Sequence, residues 1–367
     1  MKFVLLCKRY YTNKDLILDK FGRLFYLPVE LKKQGFEVVV IAADYRNNFS
    51  LHQTIEGVDF YSIPLNLANI FSFFTHTNKI IKANQPDILM ASGDTHFGVI
   101  GYVLSKQLKI PFLFDIYDFY PSFGTNKLPG MKTAFYTLLK RASLLICASE
   151  PLKQISEQYN KSVVIIENGV DTQLFKHFDK KVARQALNLP LDIKIVGFFG
   201  SLTERSGPQL IEACKVVKEQ YPNMLLLLAG KLDLAPEMID QPWIKYLGFV
   251  SQTEVVKMIN ACDVVTLPYE LKGDNTAKQI QMSNACKIAE YLACQIPVIS
   301  TRVSNYQEFF QHAPQSFCEA NDSNDMANAI ILQFEIPQIE PFPEHLTWEN
   351  LTKKLIHRID NLLNKSL

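Results

Sequence analysis

The sequence predicts an α/β protein built from two doubly wound halves, each a mostly parallel sheet covered by helices on both faces. Three observations carry that expectation. Short, continuously apolar runs of strand length alternate with helical patterns almost throughout the chain, which is how buried parallel strands and their crossover helices read. The alternation runs twice, on either side of the turn dipeptide Asn168-Gly169. The chain has 367 residues, 48% of them apolar and 20% charged, enough for two globular domains of ordinary size.

In the first half, FVLLC (3–7) reads as a buried strand. After Gly22, Leu24, Leu27 and Leu31 recur at helical spacing until Gly35, and the strand EVVVIAA (37–43) follows. PDILMAS (86–92), a helix through 98–108, PFLFDIYD (111–118), a helix near 131–141, LLICAS (144–149) and VVIIE (163–167) complete this half. ANIFSFFTHTNK (68–79), with Phe71, Phe73 and Phe74, reads as a helix with a buried face, or as a membrane contact. The second half repeats the theme. KIVGFFG (194–200) leads to a helix from Pro208, a favourable first-turn residue, to Tyr221. MLLLLAG (224–230), IKYLGFV (244–250), a helix over 252–261 and DVVTLPY (263–269) come next, then a polar loop over 270–282, a helix through 283–290 and PVIST (297–301). The last segment, 346–363, carries Trp348, Leu351, Leu355, Ile359 and Leu362 on one stripe of an amphipathic helix.

The formal net charge is +1, so no basic stripe argues for nucleic acid. The seven cysteines are scattered without a C-x-x-C pair, which points to reduced thiols in a cytoplasm-like compartment rather than to zinc or a disulfide frame. FVLLC, ahead of Lys8 and Arg9, is shorter than a signal-peptide core. No apolar run approaches the roughly 20 residues that span a bilayer. The expected localisation is cytoplasmic, with contact at the inner face of a membrane left open.

SNACKIAE (283–290) is the most informative stretch. On a continuous helix Ser283, Lys287 and Glu290 share one face, while Ala285, Ile288, Ala289 and Leu292 line another that packs on the sheet. A helix N-terminus offers free N–H groups and partial positive charge to a phosphate, and Lys287 adds a formal charge. Glu290, further along, can accept hydrogen bonds from a vicinal diol such as a ribose. The competing reading is a solvated polar face. No G-x-G-x-x-G follows a strand, no G-x-x-x-x-G-K-[ST] occurs, and no Asp-x-Asp pair is present to chelate a metal. What remains is a metal-independent site for a nucleotide diphosphate, with no cofactor.

KIAEYLACQIPVIS resembles the donor-binding signature of retaining glycosyltransferases of family 4, group 1, which have the GT-B fold. The resemblance extends over nearly the whole chain: LKKQGFEVVVI (31–41), IIENGVDTQLF (165–175), IVGFFGSL (195–202), LLLLAG, YLGFVSQTEV, ACDVVTLPY and TWENL fall in the family's order. It implies two Rossmann-like domains facing each other across an interdomain cleft: an acceptor-binding domain over 1–169, a nucleotide-sugar-binding domain over 170–345, and a terminal helix, 346–367, packing back on the first. It places Lys287 on the diphosphate, Glu290 on the ribose, Ser283 near the phosphates and Gly22 in the loop that approaches the donor.

The chain departs from the family pattern at several positions. Met282 stands where a second Glu often reads the donor sugar. GSLTERSG (200–207) has Ser201 and Ser206 in place of the Arg and Lys of the phosphate clamp, with Arg205 adjacent as a substitute. The usual His-Asp pair reads Tyr117-Asp118. The implied reaction moves a sugar from a nucleotide-diphosphate-sugar to a saccharide or lipid-linked acceptor hydroxyl with retained configuration, in cell-surface polysaccharide or lipopolysaccharide synthesis. The leaving phosphate can itself take the acceptor proton. His96 and Asp118, at strand C-terminal ends, are expected to position the acceptor or handle a proton, although a lone His after a strand is more often structural. Asp115 is expected to satisfy local backbone. Two alternatives stay open: a catalytically silent GT-B protein that binds a sugar or partner, and a nucleotide-sugar epimerase.

Overall fold

The computed structural model describes residues 1–11, 14–66, 68–303 and 306–364, apart from the side chains of 274–276. The chain divides into two compact units. The first is Met1–Gly169 with Met282–Asn284 and Trp348–Leu367; the second is Val170–Gln281 with Ala285–Thr347. Each is a doubly wound α/β layer structure, and the fold is GT-B.

The first unit contains β1 (Lys2–Lys8), the small hairpin β2 (Tyr10–Tyr11) and β3 (Lys14–Asp15), α1 (Arg23–Lys33), β4 (Glu37–Asp44), β5 (Leu51–Ile55) and β6 (Val58–Pro64). α2 (Ile70–Asn84), β7 (Ile88–Ser92), α3 (Thr95–Leu108), β8 (Phe112–Ile116), α4 (Met131–Arg141), β9 (Leu144–Cys147), α5 (Glu150–Glu157) and β10 (Val163–Ile165) follow. Its eight-stranded sheet runs β10-β9-β8-β7-β1-β4-β6-β5, parallel except for β5. Strand residues such as Leu5, Val40, Leu89, Leu113 and Ile146 are fully buried, as the continuous apolar runs require.

The second unit contains α6 (Lys180–Ala186), β11 (Ile195–Phe199), α7 (Pro208–Gln220), β12 (Leu225–Ala229), β13 (Ile244–Tyr246), α8 (Gln252–Ala261) and β14 (Val264–Leu267). It continues with α9 (Asp274–Met282), α10 (Cys286–Ala293), β15 (Val298–Thr301), β16 (Phe317–Cys318) and α11 (Ser323–Glu335). The parallel sheet order is β13-β12-β11-β14-β15-β16. The final helix, α12 (Trp348–Asn364), counts with the first unit: Trp348, Leu351, Leu355 and Ile359 are buried there, and Trp348 stacks on Tyr26 of α1 with ring centroids 5.7 Å apart.

Two expectations need correction. The polar stretch 270–282 is not a loop throughout, because α9 occupies its second part. The helix expected over 283–290 begins only at Cys286, so Ser283 lies ahead of it and shares no helical face with Lys287 and Glu290. Tertiary hydrogen bonds hold this stretch apart from the helix. Met282 O accepts the Ser149 hydroxyl at 2.6 Å, Asn284 O accepts the Asn168 amide at 2.6 Å, and the Asn284 amide donates to Ala148 O at 3.2 Å, all within the first unit. The helix α2 has the expected buried face, formed by Phe73, Thr77 and Ile81, while Phe74 is half-buried and Phe71 is 88% exposed.

Asp115 also differs from expectation. Its carboxylate receives Arg23 Nη2 at 2.7 Å and Nε at 3.0 Å, with both side chains buried. Arg23 Nη1 also donates to Ile166 O at 2.9 Å, and the Ser92 hydroxyl donates to Asp115 Oδ2 at 2.5 Å. One ion pair therefore joins α1, β7, β8 and the chain leaving β10. Removing one member of a buried pair strands the other charge, at about 3–5 kcal/mol. We expect Arg23→Met to destabilise the first unit by that amount, and Arg23→Met with Asp115→Leu to recover much of it. Urea unfolding followed through Trp348 in a Trp243→Phe background checks this; equal stability of the single variant and its parent would refute it.

Candidate functional site

Doubly wound sheets gather ligands at strand C-terminal ends, where the direction of the crossovers reverses. In the second unit that point lies between β11 and β14. β11 runs into Gly200, and β14 is followed closely by Tyr269. Lys287 reaches in between them. A Cβ on Gly200 would stand 2.3 Å from Lys287 Cε and 2.7 Å from its Nζ, so only glycine there lets the ammonium pack on the strand end. Nζ also donates to the Tyr269 hydroxyl at 3.3 Å, and it lies 5.6 Å from the Phe198 ring centre and 5.8 Å from that of Tyr269. Gly230, at φ +128°, closes the other side: a Cβ there would fall 2.1 Å from the Gly200 carbonyl oxygen.

The helix that carries Lys287 is held firmly. Ile288, Ala289, Tyr291 and Leu292 are buried, and the Tyr291 hydroxyl accepts the Phe199 N–H at 3.2 Å. Glu290 sits half-buried one turn beyond Lys287. Burial penalises the Lys287 ammonium, but Tyr269 and Glu290 outweigh that and hold its pKa above the ordinary lysine value. A cation held on a helix anchored in this way is chemically suited to meet an anion.

The other donor-side residues divide. Arg205 is exposed, and its Nη1 donates to Gln279 Oε1 at 3.1 Å, within the same unit as Lys287. Ser206 is buried and spent on its own loop, its hydroxyl donating to Ser201 O at 2.8 Å. The N-terminus of α7 is occupied by the chain's own anion: buried Glu270 accepts the Gln209 N–H at 3.0 Å and pairs with Lys272. Met282 is packed in the apolar core of the first unit. Ser283 belongs with that unit too, whereas Lys287 and Glu290 lie in the second.

In the first unit the crossovers reverse between β1 and β7, and a lysine stands there as well. Lys8 Nζ is 3.6 Å from Asp94 Oδ2 and 5.7 Å from the Tyr117 ring centre. Asp94 precedes α3 but does not cap it. Asn126 accepts the Thr95 N–H instead, at 3.1 Å, and donates to Asp94 at 2.7 Å, which leaves the carboxylate turned to Lys8. His96, half-buried in the first turn of α3, is held below the ordinary histidine pKa by burial, against the pull of Asp94. Desolvation raises Asp118 to about 7, opposed by Lys8 and Arg23 and reinforced by Asp94. Two buried hydroxyls here, Tyr117 Oη and Thr95 Oγ1, have no hydrogen-bond partner. Gly22, at φ +72°, begins α1 in this unit, and a Cβ there would press on Tyr11 at 2.9 Å.

His96 and Asp118 thus share the field of Asp94, and Lys287 and Glu290 stand on one helix. Sequence reasoning missed Lys8, Asp94, Gly200, Gly230 and Tyr269. Their signal was position, since each ends or follows an apolar strand run at the sheet's C-terminal edge.

Two family models match the chain: Glycosyltransferase Family 4 over residues 24–174 and Glycosyl transferases group 1 over residues 193–334. A D-inositol 3-phosphate glycosyltransferase of Corynebacterium urealyticum is 24% identical over 58% of this chain and 55% of its own length. One from Mycobacterium bovis is 19% identical over 68% and 54%. The chain therefore spans about half the length of these curated relatives. Among solved structures, Anabaena HepE in complex with UDP aligns with a TM-score of 0.72 at 16% identity, covering 98% of this chain and 100% of that one. Sucrose-phosphate synthase of Thermosynechococcus elongatus aligns at 0.69 and 17%, covering 98% and 94%.

The folded chain holds the Asp118 proton up to about pH 7, whereas an ordinary Asp releases it near 3.8. The stability this provides is therefore complete at low pH and fades as pH rises towards 7. We expect Asp118→Asn to gain stability relative to the parent as pH rises across that window. Denaturant titrations at stepped pH check this; parallel pH profiles would refute it.

Proposed function

The chain belongs to the family 4, group 1 glycosyltransferases, and from that premise we propose that it moves a sugar from a nucleotide-diphosphate-sugar to an acceptor hydroxyl with retention of configuration. The observation that carries this is the Lys287 ammonium, seated on Gly200 at the switch point of the second unit, with Glu290 one turn beyond. As the sugar's bond to the diphosphate breaks, negative charge grows on the leaving oxygens. A preorganised cation and helix N–H groups favour that charge over the ground state. Arg205 reaches the same anion from its loop, and Glu290 accepts hydrogen bonds from the ribose diol. This arrangement needs no metal. The leaving phosphate takes the acceptor proton.

The first unit receives the acceptor. Lys8, neutral His96, and the unpartnered hydroxyls of Tyr117 and Thr95 suit a polyhydroxylated molecule such as a saccharide, and Asp118 is poised to exchange a proton near neutrality. UDP is the first nucleotide to try, since the HepE complex contains it. A hexose, and a part in surface polysaccharide assembly, are the sugar and role we assign. Met282 and Ser206 favour one other outcome, a protein that binds the donor without turning it over. Neither side chain is turned to a ligand, as both are committed to packing or to their own loop.

Thermal-shift titrations with UDP, GDP and ADP, without metal, test the donor site. A ligand at 100 times its dissociation constant adds about 2.7 kcal/mol to stability. One diphosphate is expected to stabilise the wild type, with the shift lost in Glu290→Ala and Lys287→Ala. Gly200→Ala, which displaces only a flexible side-chain end, should fold normally and bind at least tenfold more weakly. No response to any diphosphate would overturn the donor assignment. Binding without donor hydrolysis or transfer would leave the silent protein.

A further inference from the structure

The charge balance at the β1–β7 opening of the first unit is set by one carboxylate. Lys8 ends β1, and its stem lies along Gly93, where a Cβ would stand 3.3 Å from Lys8 Cγ. Asp94 follows that glycine, in the position before α3 where an aspartate ordinarily caps the helix and spends its charge on the first turn's N–H groups. Here buried Asn126 takes one of those groups, the Thr95 N–H, and its amide fixes one Asp94 oxygen at 2.7 Å. The other oxygen faces the Lys8 ammonium at 3.6 Å, with each side chain only 23% exposed.

The neighbouring cations are already committed. Arg9 pairs with Asp15 and with Asp44, each at 2.8 Å, and Arg23 with Asp115 at 2.7 Å. Burial keeps His96 below the ordinary histidine pKa, hence neutral at pH 7. Asp118, raised to about 7 by desolvation, adds negative charge above neutrality. The opening thus sets one ammonium against one carboxylate, with a second carboxylate ionising as pH rises. A phosphate brought to Lys8 meets a cation that is already compensated and a like charge beside it, and like charges that close disfavour each other strongly where water is scarce. An uncharged hydroxyl, by contrast, can donate to Asp94 and accept from Lys8 at once.

Resting on the reading that the first unit receives the acceptor, we propose that Asp94 determines the acceptor's charge: by neutralising Lys8 it admits uncharged hydroxyl compounds and turns away phosphorylated ones.

Saturation-transfer NMR titrations of the full chain test this, with UDP present to fill the donor site. Two matched pairs of probes serve: myo-inositol against D-inositol 3-phosphate, which gives the curated relatives their name, and glucose against glucose 6-phosphate. Asp94→Asn leaves Asn126 a partner and releases Lys8, so it should bind each phosphate about tenfold or more tightly than the wild type. That gain should shrink at high salt, and myo-inositol and glucose should show none. Adding Lys8→Gln should abolish the gain. Adding Lys127→Gln, which removes an exposed cation from the turn Gly124–Lys127 that carries Asn126, should preserve it. Thermal melts confirm folding throughout. No gain in Asp94→Asn, a gain that survives Lys8→Gln, or an equal gain for the uncharged probes would overturn the proposal. Failure of UDP to bind would instead fault the donor site, and the phosphate comparison, which needs no turnover, would still decide the role of Asp94.

Discussion

The first unit is organised around one buried ion pair. Arg23 and Asp115 are removed from water, and a charge so placed needs a partner and a full set of hydrogen bonds. Each of those bonds fixes a separate element. The bidentate contact sets α1 against β8, the Ser92 hydroxyl ties in β7, and the carbonyls and amide of 166–168 tie in the chain that leaves β10. Gly22 immediately precedes this arginine, and Asp118 lies one residue past Tyr117 on the loop that β8 feeds. The positions of both depend on the pair. A hydrophobic substitute would pack as well, but it would not impose a direction on a helix and three strand ends at once.

The two units solve the same topological problem with the same residue type. Where crossovers reverse, neighbouring strand ends lose their covering connections and leave an opening. In each unit a lysine occupies it, with a glycine alongside. Lys8 lies against Gly93, and Lys287 against Gly200. The difference lies in what faces each ammonium. Lys8 meets the Asp94 carboxylate, which neutralises the site and suits uncharged hydroxyls. Lys287 meets a phenol, two ring faces and the more distant Glu290, so its charge remains available to an anion. Glu270 at the start of α7 reinforces the contrast: that helix end already holds a carboxylate.

The sequence made the strands, their order along the chain and the amphipathic terminal helix legible, because continuous apolar runs and helical spacing are local patterns. It also singled out Lys287 and Glu290, three residues apart on one helix. It did not reveal where that helix starts. Ser283 and Asn284 have no local feature that stops a helix; the carbonyls of Met282 and Asn284 on either side are held by Ser149 and Asn168, far away in the chain. The stretch 270–282 reads as a loop because it is polar, yet α9 forms there with Ile280 buried in the second unit's core and Met282 in the first unit's.

By itself, then, the sequence determined two doubly wound halves and one helix bearing a lysine and a glutamate, since these follow from the periods of buried strands and helices. The tertiary structure decided which polar residues meet: Arg23 with Asp115, Lys8 with Asp94, and Lys287 with Tyr269 over Gly200. Those pairings join residues distant in the chain, and only sheet order and crossover handedness bring them together.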